Sequence, residues 1–274
     1  RKIFRVLVGT IIGCYLLSVA LLHIPAVQNA ATSLIEEVLK DILQTELSVG
    51  KVDFGYFNRI ILDDVLVKDK NDKDMLKAAR MSAKIELMPL LHGKVSVTSV
   101  QLYGFDIQLY QRTTEEKPNF QFLIDTFTSK DSLPSRPDLR INSVLIRRGK
   151  ISWNRLDSPS TPGRFNPNHI ILDKFSATLS LKSYTADSLN LNLKKLSFEE
   201  HSGLHLKQLS FRISANRQKA CIDRFVAELP HSRLALTPIT LSYHTPKENE
   251  ASATIPYFTF QGSIAEGTIS LTDL

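Results

Sequence analysis

The chain has 274 residues, 43% of them hydrophobic and 23% charged, which excludes disorder as the default and allows one large domain or two smaller ones. Its net charge of +6 is compatible with nucleic-acid binding, but no basic run exceeds a dipeptide outside the extreme N-terminus. Lys and Arg alternate with Asp and Glu along the polar faces of predicted strands, so we expect no nucleic-acid partner.

The N-terminus begins with basic residues that precede an apolar run. Residues 6–24 carry no formal charge and would span about 28 Å as a helix, close to the hydrocarbon thickness of a bilayer. A cleaved signal peptide is the alternative, but its apolar core is normally shorter and a small-residue cleavage site follows it. Residues 1–24 are therefore predicted to form a cytoplasmic basic end and an uncleaved transmembrane anchor.

An amphipathic helix is predicted at residues 25–45. Apolar residues recur there at spacings of three and four from Val27 to Leu43, whereas the charged residues between 36 and 41 occupy the opposite side. Such a helix packs on a sheet, closes the membrane-proximal mouth of the structure that follows, or lies on the bilayer. The sequence leaves these overlapping interpretations open.

From residue 46 onward the pattern predicts mostly strands. Apolar and polar residues alternate with a period of two, and turn-forming residues separate the runs. The clearest run covers residues 95–109, where the alternation slips at Thr98–Ser99 and again at Gly104. Slips of this kind indicate β-bulges, which bend and twist a strand. One short helix is predicted at residues 119–128, and a linker rich in Ser and Pro follows it.

Two internal repeats connect these strands. Residues 97–109 are similar to residues 141–153 at an offset of 44, with a glycine between the two halves each time. Residues 191–198 recur as residues 204–211, which predicts a hairpin with its turn between them. Repeated strand units in a chain with few helices predict an extended sheet rather than a closed globule.

Such a sheet presents one large apolar face, which two helices alone cannot cover. Because an apolar surface of that size is not left in water, the sheet must form a sandwich or barrel, curl into a trough, or lie against an apolar ligand. The slips and glycines favour curling. The predicted fold is mostly β: an extended, curled (U-shaped, taco-like) antiparallel sheet at residues 46–274 with a hydrophobic groove, preceded by the transmembrane and amphipathic helices.

Several short motifs resemble a known family. The Pro-Leu-Leu-His-Gly-Lys-Val-Ser-Val run at residues 89–97, together with Asn119-Phe120, is similar to the N-terminal region of AsmA-like envelope proteins. The hairpin at residues 202–211 and the Leu-Pro-His-Ser-Arg-Leu run at residues 229–234 resemble the TamB-like members of that family. The anchor followed by Ile-Pro-Ala-Val-Gln at residues 24–28 fits the same pattern.

The resemblance implies a section of a bridge-like lipid-transfer protein. It would have one inner-membrane anchor at residues 6–24 and its bulk in the periplasm of a Gram-negative cell, with membrane phospholipids as partners. Phospholipid tails would slide along a β-groove that continues beyond this segment. The family also implies an outer-membrane barrel assembly protein as a partner. The alternative function is therefore a scaffold for outer-membrane β-protein assembly, offering an open sheet edge, and a third is a closed β-sandwich binding domain.

The sequence predicts no catalytic residues, no metal site and no cofactor, and therefore no enzyme. His201 and His205 would share a metal ion only on a helix, but Ser202-Gly203 between them indicates a hairpin. The residues predicted to line the lipid groove lie on the apolar phase of the strands: Val97, Val100, Leu102, Ile107, Leu109, Val144, Ile146, Ile151, Trp153, Phe175, Leu179, Leu181, Leu191, Leu193, Leu206, Phe211 and Leu236.

Overall fold

In the part of the chain that the structure describes from residue 24 onward, thirteen strands form one large curved sheet, and two helices lie on it. The computed structural model describes residues 24–55, 58–86, 88, 96–128, 138–185, 188–244 and 257–273, together with isolated positions before residue 24. The elements are α1 (Pro25–Leu43), β1 (Leu47–Gly55), β2 (Arg59–Lys68), β3 (Asp74–Ile85), β4 (Ser96–Gln111), α2 (Gln121–Thr128), β5 (Asp138–Arg155), β6 (His169–Thr185), β7 (Ser188–Glu200), β8 (His205–Asn216), β9 (Lys219–Glu228), β10 (Arg233–Leu236), β11 (Ile239–His244), β12 (Tyr257–Gln261) and β13 (Ile264–Thr268).

The strands follow one another across the sheet in chain order from β1 to β10, and β13 pairs with β10. The first half of β9 pairs instead with β11, which in turn pairs with β12. The sheet does not close on itself, because β1 pairs only with β2 in the described part of the chain. The predicted extended, mostly β architecture is confirmed at this level.

One pair of strands departs from the antiparallel pattern. β4 and β5 run parallel. The connection between them, which contains α2, therefore returns the chain to the end of the sheet at which β4 begins. The prediction of a purely antiparallel sheet is therefore wrong. The two strands pair in register from Ser99 with Ser143 to Gln111 with Arg155, so the repeat at an offset of 44 is the register of this pair.

Two further sequence patterns can be compared with the strands. The predicted hairpin is confirmed by β7 and β8, where Glu199 pairs with His205. The alternation from Arg233 to Tyr243 predicts a single strand, but the structure has β10 and β11 there. The break falls at Pro238, which has no N–H to donate to a neighbouring strand.

The core lies between α1 and the first four strands. Val52 is fully buried, and Val49, Val65 and Phe105 are at most 5% exposed. The helix residues that pack against this cluster are Ala31, Ile35, Leu39 and Ile42, with Leu43 inside it. The apolar stripe predicted for the helix is wider than the part that packs, since Val27, Leu34 and Val38 remain exposed.

Helix α1 also covers the free edge of β1. The Glu36 carboxylate accepts a hydrogen bond from the Val49 N–H at 2.6 Å, and the Thr32 hydroxyl accepts one from the Val52 N–H at 3.1 Å. Both donors belong to buried residues, so they would otherwise lack a partner. Edge strands expose unpaired backbone groups that attract other strands, and α1 blocks that pairing here.

Replacing Glu36 by alanine is expected to lower the free energy of unfolding by about 1–2 kcal/mol, because the buried Val49 N–H loses its acceptor. Hydrogen exchange of the peptide covering residues 46–55 should become faster. The matched control is Glu37→Ala, since Glu37 is exposed. Unchanged exchange in Glu36→Ala would show that the helix does not protect this edge.

Backbone irregularities lie on four strands of the sheet: β2, β4, β5 and β6. Asp64, Gly104, Arg148 and Lys174 have positive φ values between 52° and 56°. Beside each of them the inward-facing positions are three residues apart instead of two, as at Leu102 and Phe105. The slip predicted at Gly104 is confirmed, and a second register shift lies between Val97 and Ser99, where another bulge is predicted. Bulges at one level across neighbouring strands bend the sheet.

Within the part of the chain that the structure describes, no helix is both long and apolar enough to cross a membrane. The anchor predicted at residues 6–24 falls mainly on residues outside that part. The predicted linker after α2 lies outside it as well.

Candidate functional site: the open apolar face

The inward face of the sheet, on which the helices lie, carries apolar rows that continue across many strands. Residues paired across strands share a face, so the register defines each row. One row consists of Met81, Leu102, Ile146, Ala177, Leu196, Leu209, Ala227 and Leu234. A second consists of Ala83, Val100, Val144, Leu179, Leu193 and Phe211.

The helices cover only the first part of these rows. Phe120, at the start of α2, meets Trp153 edge to face with ring centroids 6.3 Å apart, and Phe122 packs against the buried cluster. Beyond Phe175, no described apolar side chain of β7–β10 belongs to that cluster or packs against it. We call the remainder the open apolar face, which consists of Ala177, Leu179, Leu181, Leu191, Leu193, Leu196, Leu209, Phe211, Ile213, Phe225 and Leu234.

Most side chains of the open apolar face are half-buried, although no described helix lies over them. Leu193 and Ala177 are the most buried, at 9% and 7% exposed. Phe211 and Phe225 stack at 6.4 Å, so neighbouring strands shield one another laterally. The side chains of the open apolar face therefore pack against one another laterally, and together they present an apolar surface on the side that points away from the sheet.

The structure divides the predicted lining residues into groups. Those that pack against the helix-covered core are Leu102, Ile107, Leu109, Ile146, Ile151 and Phe175, with Trp153 against Phe120. Those in the rows that lead onto or form the open face are Val100, Val144, Leu179, Leu181, Leu191, Leu193 and Phe211. Val97, Leu206 and Leu236 are half-buried near strand ends or register shifts.

Sequence reasoning missed several members of the face. Leu196 and Leu209 occupy equivalent places in the thirteen-residue repeat, so their similarity was a usable signal. Leu196 follows a register shift between Leu193 and Leu196, and Leu209 lies at a second shift between Leu196 and Phe198, so the alternation is reversed at both residues. Phe225 follows Arg224, whose φ is 54°. In each case a bulge returns the side chain to the inward face.

The outer face carries a ladder of opposite charges across the strands. Asp106 pairs with Lys77 on one side and with Lys150 on the other. Lys150 lies 4.0 Å from Asp173, and Lys174 lies 2.9 Å from Glu199, the acidic cross-strand partner of Asp173. Lateral pairs of opposite charge contribute modestly to a sheet and keep its outer face hydrated. The sheet thus separates a wet face from an apolar one.

The histidine pair does not converge on one point. The His201 Nε2 atom lies 2.9 Å from Asp173, whereas the His205 Nε2 atom lies 3.7 Å from Glu199. The described residues contain no group of three or more His, Cys, Asp and Glu side chains that could hold a metal ion.

The buried carboxylate of Asp69 stabilises the turn between β2 and β3, beneath α2, by hydrogen bonds. Asp69 is 2% exposed, and its Oδ1 atom accepts hydrogen bonds from the N–H groups of Asn71 at 2.8 Å and Lys73 at 3.0 Å. Its Oδ2 atom accepts one from the Asn119 amide at 3.3 Å. Burial raises the pKa of Asp69, but the hydrogen bonds from Tyr110, Lys73, Asn71 and Asn119 outweigh it and hold the pKa below its usual value.

The same network fixes the start of α2. The Asn119 side-chain oxygen accepts from the Tyr110 N–H at 3.0 Å, and the Asn119 N–H donates to the Tyr110 carbonyl at 2.9 Å. Lys70, in the same turn, donates to the carbonyl of Gln44 just after α1. Both helices are therefore held over the inward face by one short turn.

No protein-family profile matches the chain, and no curated protein is similar enough to count as a match.

Proposed function

We propose that this chain is a section of a bridge-like lipid-transfer protein, in which the open apolar face shields the acyl chains of phospholipids. The observation that carries the proposal is the continuation of the inward apolar rows over β6–β10, past the region covered by α1 and α2. Removing a methylene group from water is worth about 0.8 kcal/mol, so a dry surface offsets much of the cost of taking a lipid out of a membrane. No group in this mechanism needs to react.

The proposal includes the shape of the sheet and its location in the cell. The curved sheet would act as a U-shaped hydrophobic groove, with α1 capping the end nearest to the membrane. Residues 6–24 would anchor the chain in the inner membrane of a Gram-negative cell and place the sheet in the periplasm. The apolar run at residues 6–24 and the resemblance to AsmA-like proteins support this arrangement.

Photo-crosslinking in cells tests the proposal. A benzophenone side chain at Phe211 or Leu179 is expected to capture at least about five times more phospholipid than one at Arg212 or Lys182, because only the first two positions face inward. Each pair lies on one strand, so expression and local folding are matched. Lipid capture at Leu179 no greater than at Lys182, and at Phe211 no greater than at Arg212, would refute the groove.

The second candidate is a scaffold for outer-membrane β-protein assembly. It is favoured by the far edge of the sheet, where every residue of β13 is exposed and Phe258 and Phe260 of β12 are 69% and 67% exposed. Such an edge could accept a further strand. A crosslinker at Phe260 that captures an outer-membrane protein, with no lipid captured at Phe211, would support the scaffold instead of the groove.

A further inference from the structure

Four exposed cations lie on the outer face, away from the acidic members of the charge ladder. Arg147 and Arg148 are on β5, and Lys194 and Lys195 are on β7. Among the residues that the structure describes, no carboxylate lies within 4.0 Å of any of the four side chains. We call these residues the basic patch.

The strand register brings the patch together. Lys195 pairs with Thr178, and Thr178 pairs with Leu145, two residues before Arg147. With strands about 4.8 Å apart, the Cα atoms of Lys195 and Arg147 are separated by about 12 Å. Two cross-strand neighbours of the patch are uncharged, since Tyr103 pairs with Arg147 and Thr178 pairs with Lys195.

This arrangement differs from the expectation that basic and acidic residues alternate on every polar face. Three acidic residues of the outer face, Asp106, Asp173 and Glu199, lie within the ladder. Lys77 is the cross-strand neighbour of Asp106, and Lys150 and Lys174 form ion pairs with Asp173 and Glu199. A dipeptide of cations on each of two strands therefore becomes a four-charge cluster, although no long basic run exists in the sequence.

We propose that the basic patch docks on the surface of a bilayer containing anionic phospholipids. The charges of the two surfaces are complementary, because each Lys or Arg side chain close to a negatively charged membrane surface is attracted to it, and clusters of about four to eight such side chains on or beside helices bind anionic lipids. The hydroxyl groups of Thr178 and Ser197 lie on the same face and can donate to phosphate oxygens. The inference goes beyond the proposed function, because the patch and the open apolar face lie on opposite sides of the sheet.

Vesicle capture tests the docking. The full chain, carried in phosphatidylcholine nanodiscs, is mixed with vesicles of phosphatidylcholine containing 30% phosphatidylglycerol (about one lipid in three), and the captured fraction is measured by flotation. Replacing Arg147, Arg148, Lys194 and Lys195 by glutamine is expected to reduce capture at least about tenfold. Capture by the unaltered chain should disappear in high salt, because exposed charges are screened.

The matched control replaces four basic side chains of the same chain that form ion pairs. Lys51, Lys77, Arg80 and Lys174 each lie within 3.5 Å of a carboxylate, and their replacement by glutamine changes the net charge equally. This variant should retain most of the capture. Equal loss in both variants, equal capture of vesicles made only of phosphatidylcholine, or unchanged capture by the patch variant would each overturn the proposal. Lipid crosslinking at Phe211 is read separately and does not depend on these outcomes.

Discussion

Replacing Gly149 by alanine is expected to lower the free energy of unfolding by about 2–3 kcal/mol. A Cβ atom at this position would lie 1.9–2.3 Å from the ring of Phe105, far inside contact distance. Phe105 is 4% exposed and itself packs edge to face on Phe175 at 6.4 Å, so the ring has little room to move. Overpacking of this kind in a dense core costs energy because side chains and backbone must both shift.

Urea unfolding followed by the fluorescence of Trp153 measures the effect, since this is the single tryptophan of the chain. Gly267→Ala is the control, because its new Cβ would meet Ile264 at an ordinary 3.5 Å. The Phe105→Ala change removes the ring that causes the clash. In the double variant we therefore expect the loss in the free energy of unfolding to be smaller than the sum of the losses in the two single variants. Strict additivity would mean that the ring does not cover Gly149.

Replacing Asp69 by alanine is expected to destabilise the chain by about 3 kcal/mol. Four hydrogen-bond donors meet at this buried carboxylate, and its removal leaves several of them without an acceptor. Trp153 packs on Phe120, next to Asn119, so its fluorescence also reports local loosening of α2. Asp125→Ala, at a carboxylate exposed on α2, is the control and should change stability by less than about 0.5 kcal/mol.

The same carboxylate gives a pH dependence with a definite sign. The pKa of Asp69 is lower in the folded chain than its ordinary value of 3.8, so the ionised form stabilises the fold. This contribution is complete above the ordinary value and is lost as the pH falls through it toward the folded pKa. Asp69→Asn should therefore lose stability at neutral pH and show a weaker decrease below pH 4 (about the ordinary value) than the unaltered chain. Identical pH profiles for the two chains would contradict this assignment.

The sequence was most informative where two strands repeat one pattern. The offset of 44 between residues 97–109 and 141–153 could be found by inspection, but its meaning as a parallel pair could not. Similar strands pair in either direction, and only the placement of α2 decides between them. Alternation likewise found the inward residues of each strand until a bulge reversed it, as happens before Leu196.

Contacts between polar groups that are far apart in the sequence could not be predicted from the alternation of apolar and polar residues. Asp69 lies 50 residues before Asn119, and each reads as an ordinary turn residue by itself. The covering of the β1 edge by Glu36 and Thr32 is of the same kind, because charged positions on a helix normally indicate solvent. The basic patch was hidden for a related reason, since its two dipeptides meet only through the register of β5, β6 and β7.

The position of Phe120 has a consequence for movement along the sheet. Under the proposed function, an acyl chain that diffuses along the inward face from β10 toward β1 meets Phe120 where this ring packs on Trp153 of β5. For a one-dimensional random walk at this end of the strands, the ring is a reflecting boundary, across which the steady-state flux is zero. Lipid would then pass from β6 to β4 along the row that contains Leu179, Val144 and Val100. The rate of delivery would depend on how often that row is occupied, with α1 and the buried cluster beneath it outside the path.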